Sequence, residues 1–247
     1  MLKIENVKVV GWEHAIHGMR NPMNSWEKSD SECLFHALPN YSYDDPKAEE
    51  YTRYLDDYNL NLKLGPNDYT LMKKLRDGGP VHAKYRRMIT VYLDITAPLY
   101  WWKEFDTYKV GTVANSCSTM HKIAAKEFTL DDFSIEHLHK RTNMFFSEII
   151  DLLNYWRGIY LDGGMVDNYN GTARVYEKKD KDAWWQMIQL LPSSYNQKRT
   201  VMLNYEVLAN IYQSRKDHKL DCWHTFCHWI EELPYSELIT GYEEESH

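Results

Sequence analysis

At 247 residues the chain is near the upper limit for one hydrophobic core, and 43% apolar with 26% charged residues is globular usage that excludes a disordered polypeptide. The net charge of -7, with basic residues dispersed apart from Lys84, Arg86 and Arg87, argues against a nucleic-acid polymer as partner. No apolar run approaches the roughly 18 residues of a membrane span, no signal-peptide stretch opens the chain, and four cysteines do not make a secreted disulfide scaffold, so the expected setting is cytoplasmic with no membrane partner.

The expected organisation is a single α+β domain over residues 1–240 followed by an acidic flexible tail at 241–247. Aromatic residues make up 14% of the chain, so the core must be built from rings whose hydroxyl and indole N–H groups need partners.

Leu2, Ile4, Val7 and Val9 predict a first strand running into Gly11. Ser29 to Pro46, rich in Ser, Asp, Asn and Pro, reads as a long excursion over the surface or across a neighbouring subunit. Short helices are predicted at Lys47 to Asp57 and at Asn67 to Arg76, the second stopped by Gly78-Gly79-Pro80. Met88 to Ile95 reads as a buried strand ending before Pro98, Leu99 to Tyr108 as helix, and Lys109 to Thr112 as extended. Ala114 to Thr119, a run of small polar residues, is a candidate ligand-contacting turn.

The clearest helix is Ile135 to Tyr160, where Phe145, Phe146, Ile149, Leu152, Leu153 and Trp156 form a stripe expected to be core. Leu161 to Lys179 reads as a connecting loop, and Asp182 to Leu191 as a helix ended by Pro192. A short strand at Thr200 to Leu203 precedes a helix opened by Asn204 and running through Arg215, and a final helix spans Leu220 to Glu232.

Three groups of residues carry chemistry. Cys222, His224, Cys227 and His228 have zinc-ligand identities, but on one helix they point in different directions and only His224 and His228 share a face. A zinc-stabilised interaction protein is one reading of them, core cysteines with partly buried histidines the other. Cys117, flanked by Ser116 and Ser118 and four positions before His121, is a thiol with a possible base but without a third member to orient it; the alternative is a turn whose hydroxyls bind their own backbone. Neither a Gly-x-Gly-x-x-Gly motif nor a phosphate loop is present, so a nucleotide must be held by side chains. Asn204, Asn210 and Arg215 have suitable groups, since amides read ring edges and a guanidinium takes carbonyl or phosphate oxygens. Their other reading is a helix N-cap, a polar surface residue and a C-terminal dipole partner.

Leu190-Leu191-Pro192 followed by Asn204, Asn210 and Arg215 resembles the C-terminal part of the flavin-dependent thymidylate synthases, in register without a gap. Trp223 is similar to a family position after one inserted residue. Upstream, Pro98 to His121 resembles the stretch holding the family's Arg-His-Arg signature and Ser-containing turn. Thr107, Tyr108 and Lys109 stand at the Arg-His-Arg positions, Asn115 and Ser118 match the family's Asn and second Ser, Ser116 stands for its glutamate and Met120 for its arginine. Two further family arginines fall on Ile188 and Glu206.

The resemblance implies a twisted, mainly antiparallel sheet with several long helices, in a homotetramer. It implies no protein nucleophile, a cofactor FAD near Asn204, Asn210, Lys109, Tyr108 and Thr107, and a small-molecule pyrimidine nucleotide near Arg215, Ser118, Ser116 and Glu104. The implied reaction is reductive methylation of dUMP or an analogue, with methylenetetrahydrofolate and NADPH as co-substrates. Lys109 keeps one charge of the signature, and Lys122, Lys198 and Arg199 are cations available from shifted positions. The alternative is a non-catalytic flavin- or nucleotide-binding protein that kept the fold without the signature arginines.

Overall fold

The computed structural model describes residues 2–33, 48–58, 62–168 and 170–241. In chain order the elements are β1 (Lys3–Val10), α1 (Trp12–Arg20), β2 (Glu32–Cys33), α2 (Ala48–Tyr58), β3 (Leu62–Lys63), α3 (Pro66–Asp77), β4 (Thr90–Pro98), α4 (Leu99–Phe105) and β5 (Val113–Ser116). There follow α5 (Thr119–Lys122), α6 (Lys140–Asp162), β6 (Gly164–Asp167), β7 (Ala173–Tyr176), α7 (Lys181–Leu190), β8 (Asn196–Asn204), α8 (Tyr205–Arg215), α9 (Asp221–Glu231) and α10 (Glu237–Thr240). Most of the expected excursion at Ser29 to Pro46, and the tail beyond Gly241, lie outside the described residues.

The main sheet has the strand order β1-β4-β8-β5, with two-stranded antiparallel ribbons at β2-β3 and β6-β7. Tyr205 N donates to Ile89 O and Leu99 N to Tyr195 O, so β4 and β8 run antiparallel. In β1 the apolar spacing slips by one residue between Ile4 and Val7. The backbone absorbs the slip at Asn6, in the left-handed region at φ 54°, so that Leu2 and Val9 both remain buried. On β4, Val91, Leu93, Ile95 and Ala97 face the core while Asp94 lies on the other face, accepting from Asn6 Nδ2 at 2.8 Å and Thr200 Oγ1 at 2.6 Å.

The described residues group into two compact units, one of Thr96–Phe105 and Ser116–Arg199, the other of Leu2–Ile95, Asp106–Asn115 and the chain from Thr200 onward. The first has a core of Ile123, Phe128, Phe133, Phe146, Ile150, Leu153 and Met187. The second is centred on Tyr205, whose hydroxyl donates to Pro234 O at 2.6 Å and whose ring meets Trp12 edge-on. The expected demand for polar partners is met at Trp102, which donates to Gln197 O, and at Tyr85, which donates to Met72 O, but Trp12 buries an indole N–H with no hydrogen-bond partner among the described residues.

Several predicted boundaries move. β4 runs through Pro98, and α4 stops at Phe105, three residues short of Tyr108. Lys109 to Thr112 is not extended but turns at Gly111, φ 79°, and the strand comes afterwards as β5, taking half of the expected polar turn. The expected loop at Leu161 to Lys179 contains the β6-β7 hairpin, and the short strand at Thr200 is the end of the nine-residue β8. α6 begins at Lys140 because His139 caps it, accepting from Arg141 N, while Ile135 and Leu138 pack on the core before the helix starts.

The stripe on α6 is core on one side only: Phe146 and Leu153 are buried, whereas Phe145, Ile149 and Leu152 are 55%, 36% and 42% exposed. Six apolar residues at mixed three- and four-residue spacing span more of the helix circumference than one packed neighbour, α7, covers. Unassigned from the sequence, α1 carries Trp12, Ala15 and Ile16 on its buried side, an i, i+3, i+4 signal that was there to be read.

Candidate functional site

In the second unit, polar groups gather around the first turn of α8. Asn204 ends β8 and caps the helix, its Oδ1 accepting from Val207 N at 3.0 Å. The turn after Lys109 closes on this cap: a Cβ on Gly111 would stand 3.0 Å from Asn204 Nδ2 and 3.1 Å from Val207 Cγ2, so both the positive φ and the close approach require glycine there. Glu206, in the same turn, faces Arg86 and Arg87 at 3.9 and 4.0 Å. These arginines, the cluster noted for its charge alone, bring guanidinium groups beside a position where the family arginine is a glutamate. Sequence order could not show that residues 86 and 206 meet.

Three buried polar atoms here, Arg86 Nε, Glu206 Oε2 and Thr112 Oγ1, have no hydrogen-bond partner among the described residues. Buried groups of this kind normally find partners, so donor and acceptor capacity is left for hydroxyl and amide edges of a ligand. This mixed set of donors and an acceptor suits a polar ligand that carries hydroxyl or amide groups. Asn210 is exposed on α8, and Thr107 and Lys109 are exposed in the loop after α4.

At the far end of α8, Arg215 donates from Nε to the Tyr108 hydroxyl at 2.9 Å. Its guanidinium carbon lies 4.8 Å from the Trp223 ring centroid and 5.6 Å from that of Tyr108. Trp223 is fully buried. Two sequence-predicted site residues 107 positions apart are thus brought together, with the similarly placed tryptophan behind them.

In the first unit a cavity of ≈ 240 Å³ is lined by Cys117, Ser118, Thr119, Lys122, Lys126, Tyr195, Gln197 and Lys198 among others. Gln197 forms its back, donating from Nε2 to Cys117 O and Thr119 Oγ1, both at 3.0 Å, while its Oε1 accepts from Arg199, which stacks 4.2 Å over Trp102. Lys126 pairs with Asp132, and burial, reinforced by Asp132, raises the Tyr195 hydroxyl above the usual tyrosine range. Ser118 Oγ accepts from His121 N and so caps α5, the backbone-binding role that was the alternative to a Cys117 nucleophile with His121 as its base. Ser116 is the exposed last residue of β5, and Glu104 lies on α4.

The Cys/His cluster on α9 disperses. Cys222 and Cys227 are buried, burial pushing the Cys227 thiol up to about 12. His224 faces Asp221, and His228 faces Glu231 and Glu232. Among the described residues no three His, Cys, Asp or Glu side chains are placed to hold a metal ion, and no helix is long and apolar enough to cross a membrane.

No protein-family profile matches the chain, and no curated protein matches its sequence. Solved structures do. Thymidylate synthase X from Helicobacter pylori, with FAD and dUMP, superposes with a TM-score of 0.58 at 13% identity over 98% of each chain. The fold is that of a flavin-dependent thymidylate synthase. A second structure of the Helicobacter pylori enzyme, also with FAD and dUMP, gives a TM-score of 0.57 at 12% identity, covering 98% of this chain and 100% of that one. The UMP/dUMP methylase PolB from Streptomyces cacaoi, bound with 5-Br dUMP, gives 0.54 at 10% identity over 98% and 96%. The likeness in fold thus holds at 10–13% identity, where no family profile matches.

Proposed function

We propose that the chain is a divergent flavin-dependent enzyme that reductively methylates a pyrimidine nucleotide, dUMP or an analogue. The observation that carries this reading is the set of buried polar atoms without a hydrogen-bond partner among the described residues around the first turn of α8, in a chain that has the thymidylate synthase fold. FAD is assigned to the region of Asn204, Asn210, Thr107, Tyr108 and Lys109, with Arg86 as an added cation. The resemblance assigns nucleotide contact to Arg215 in the second unit and, separately, to Ser116, Ser118 and Glu104 in the first. Lys122, two positions beyond the Met120 that stands where the family has arginine, and Lys198 both line the cavity beside Ser118 and supply charge for phosphate oxygens.

FAD, when bound, supplies the hydride chemistry, with NADPH as reductant and methylenetetrahydrofolate as carbon donor. The chain's own part is to bind and orient: a guanidinium held against two aromatic rings loses little further freedom when it takes a nucleotide oxygen. A homotetramer is part of the reading, with the exposed Phe145–Leu152 face of α6 available as a subunit contact.

The test is the visible spectrum of the purified protein with FAD titration, followed by turnover with nucleotide, folate and NADPH. A flavin spectrum and a methylated nucleotide are expected; a colourless protein that takes up no FAD sinks the proposal. The missing signature cations favour a second reading, a binding protein without turnover. In that case nucleotide and FAD bind, but reduced flavin is not reoxidised by folate with nucleotide.

A further inference from the structure

A second cavity, ≈ 230 Å³, lies in the other compact unit, lined by Glu13, Ile16, His17, Arg20, Trp26, Ser29, Ser31 and Leu62. None of these residues has a part in the proposed function. Its chemistry follows from which hydrogen-bonding capacity is already spent. Asp68, fully buried behind the cavity, accepts from Ser29 Oγ and Ser31 Oγ at 2.7 Å and from the backbone N–H groups of Asp30 and Ser31 at 3.1 Å. Both serine hydroxyl protons therefore point away from the cavity, and Ser29 Oγ keeps only lone pairs to offer.

Arg20, 5% exposed, donates from Nε to Asp68 at 2.6 Å, pairs with it through Nη2 and donates from Nη1 to Ser25 O, so its charge is matched and most of its donors are used. The Trp26 indole N–H is likewise committed, donating to Asn21 Oδ1 at 2.8 Å. What remains toward the opening is the Glu13 carboxylate, which has no partner among the described residues, and a wall of two stacked rings, His17 on Trp26 at 5.8 Å and 15°. Ile16 and Leu62 close the apolar side.

A cavity that offers a carboxylate, an oxygen lone pair and aromatic faces, with its built-in cation neutralised from behind, selects positive charge over negative. An anion would meet Glu13 and find few donors. The overall charge of -7 adds a weak attraction of the same sign. We propose that this cavity binds a small organic cation of the ammonium or guanidinium class, held by Glu13 and seated against Trp26. It stands independently of the methylation reading.

The test is calorimetric titration of the whole chain with tetramethylammonium and, separately, methylguanidinium, at constant ionic strength set with sodium chloride. Saturable binding of at least one is expected, weakened tenfold or more in Glu13→Gln and in Trp26→Leu and unchanged in Glu148→Gln, an exposed carboxylate on α6. Preference for methylguanidinium would mark paired N–H recognition by Glu13, and preference for tetramethylammonium would mark the ring wall as dominant. Because Glu13 is exposed, Glu13→Gln should keep the parent's melting temperature and so separate loss of the site from loss of fold. No saturable binding of either cation, equal binding in Glu13→Gln, or saturation by inorganic phosphate instead would overturn the proposal.

Discussion

Replacing Asp68 with asparagine keeps the side-chain volume and removes the charge that Arg20 depends on. The carboxylate is fully buried and takes six short polar contacts: Nε and Nη2 of Arg20, the hydroxyls of Ser29 and Ser31, and the N–H groups of Asp30 and Ser31. An amide in its place presents N–H groups to donors and strands a guanidinium that is only 5% exposed. Breaking a buried pair from one side costs about 3–5 kcal/mol. For a chain of this size that corresponds to a melting temperature lower by about 6–20 °C.

The pH dependence has a definite sign. Burial alone would raise the Asp68 carboxyl, but hydrogen bonds from Ser31, Ser29 and Arg20 outweigh it and hold the group below its ordinary value of 3.8. Its contribution is fully present above that value and is lost as pH falls through the depressed folded one. Urea unfolding of parent and Asp68→Asn from pH 7 downward should show a gap that is constant near neutrality and closes in acid. A penalty below about 1 kcal/mol at pH 7, or a gap that does not narrow on acidification, would refute this account of the network.

Arg215→Ala should lower stability by about 1 kcal/mol, the order of one hydrogen bond and ring stacking, while weakening nucleotide binding tenfold or more by calorimetry; equal losses in both would leave Arg215 a packing residue. On α6, Leu153→Ala should cost about 2–5 kcal/mol in urea melts, whereas Leu152→Ser should stay within about 0.5 kcal/mol in the monomer, and the reverse order would mean the helix is rotated. With a neutral-pH alkylating agent and peptide mass mapping, exposed Cys117 should react well before Cys222 and Cys227, the last raised to about 12 by burial.

The sequence by itself determined what depends on local pattern. Asn204 is a helix cap because its short side chain reaches the amide of Val207 whatever surrounds it, and Gly78-Gly79 ends α3 because Gly79 sits at φ 88°. The order Asn204, Asn210, Arg215 after Pro192 was enough to point to the fold that the chain has.

Tertiary structure decided which chemistry meets. Periodicity put Phe145 and Phe146 on one stripe, but only the placement of α7 made the second core and left the first exposed. Glu206 read as a lost cation until the fold set Arg86 and Arg87 against it, and Asp68 read as an ordinary residue near a helix start until residues 20, 29 and 31 closed around it. Such contacts join positions tens to more than a hundred apart along the chain, where no local preference links them, and they form only because packing the apolar faces fixes both partners in place.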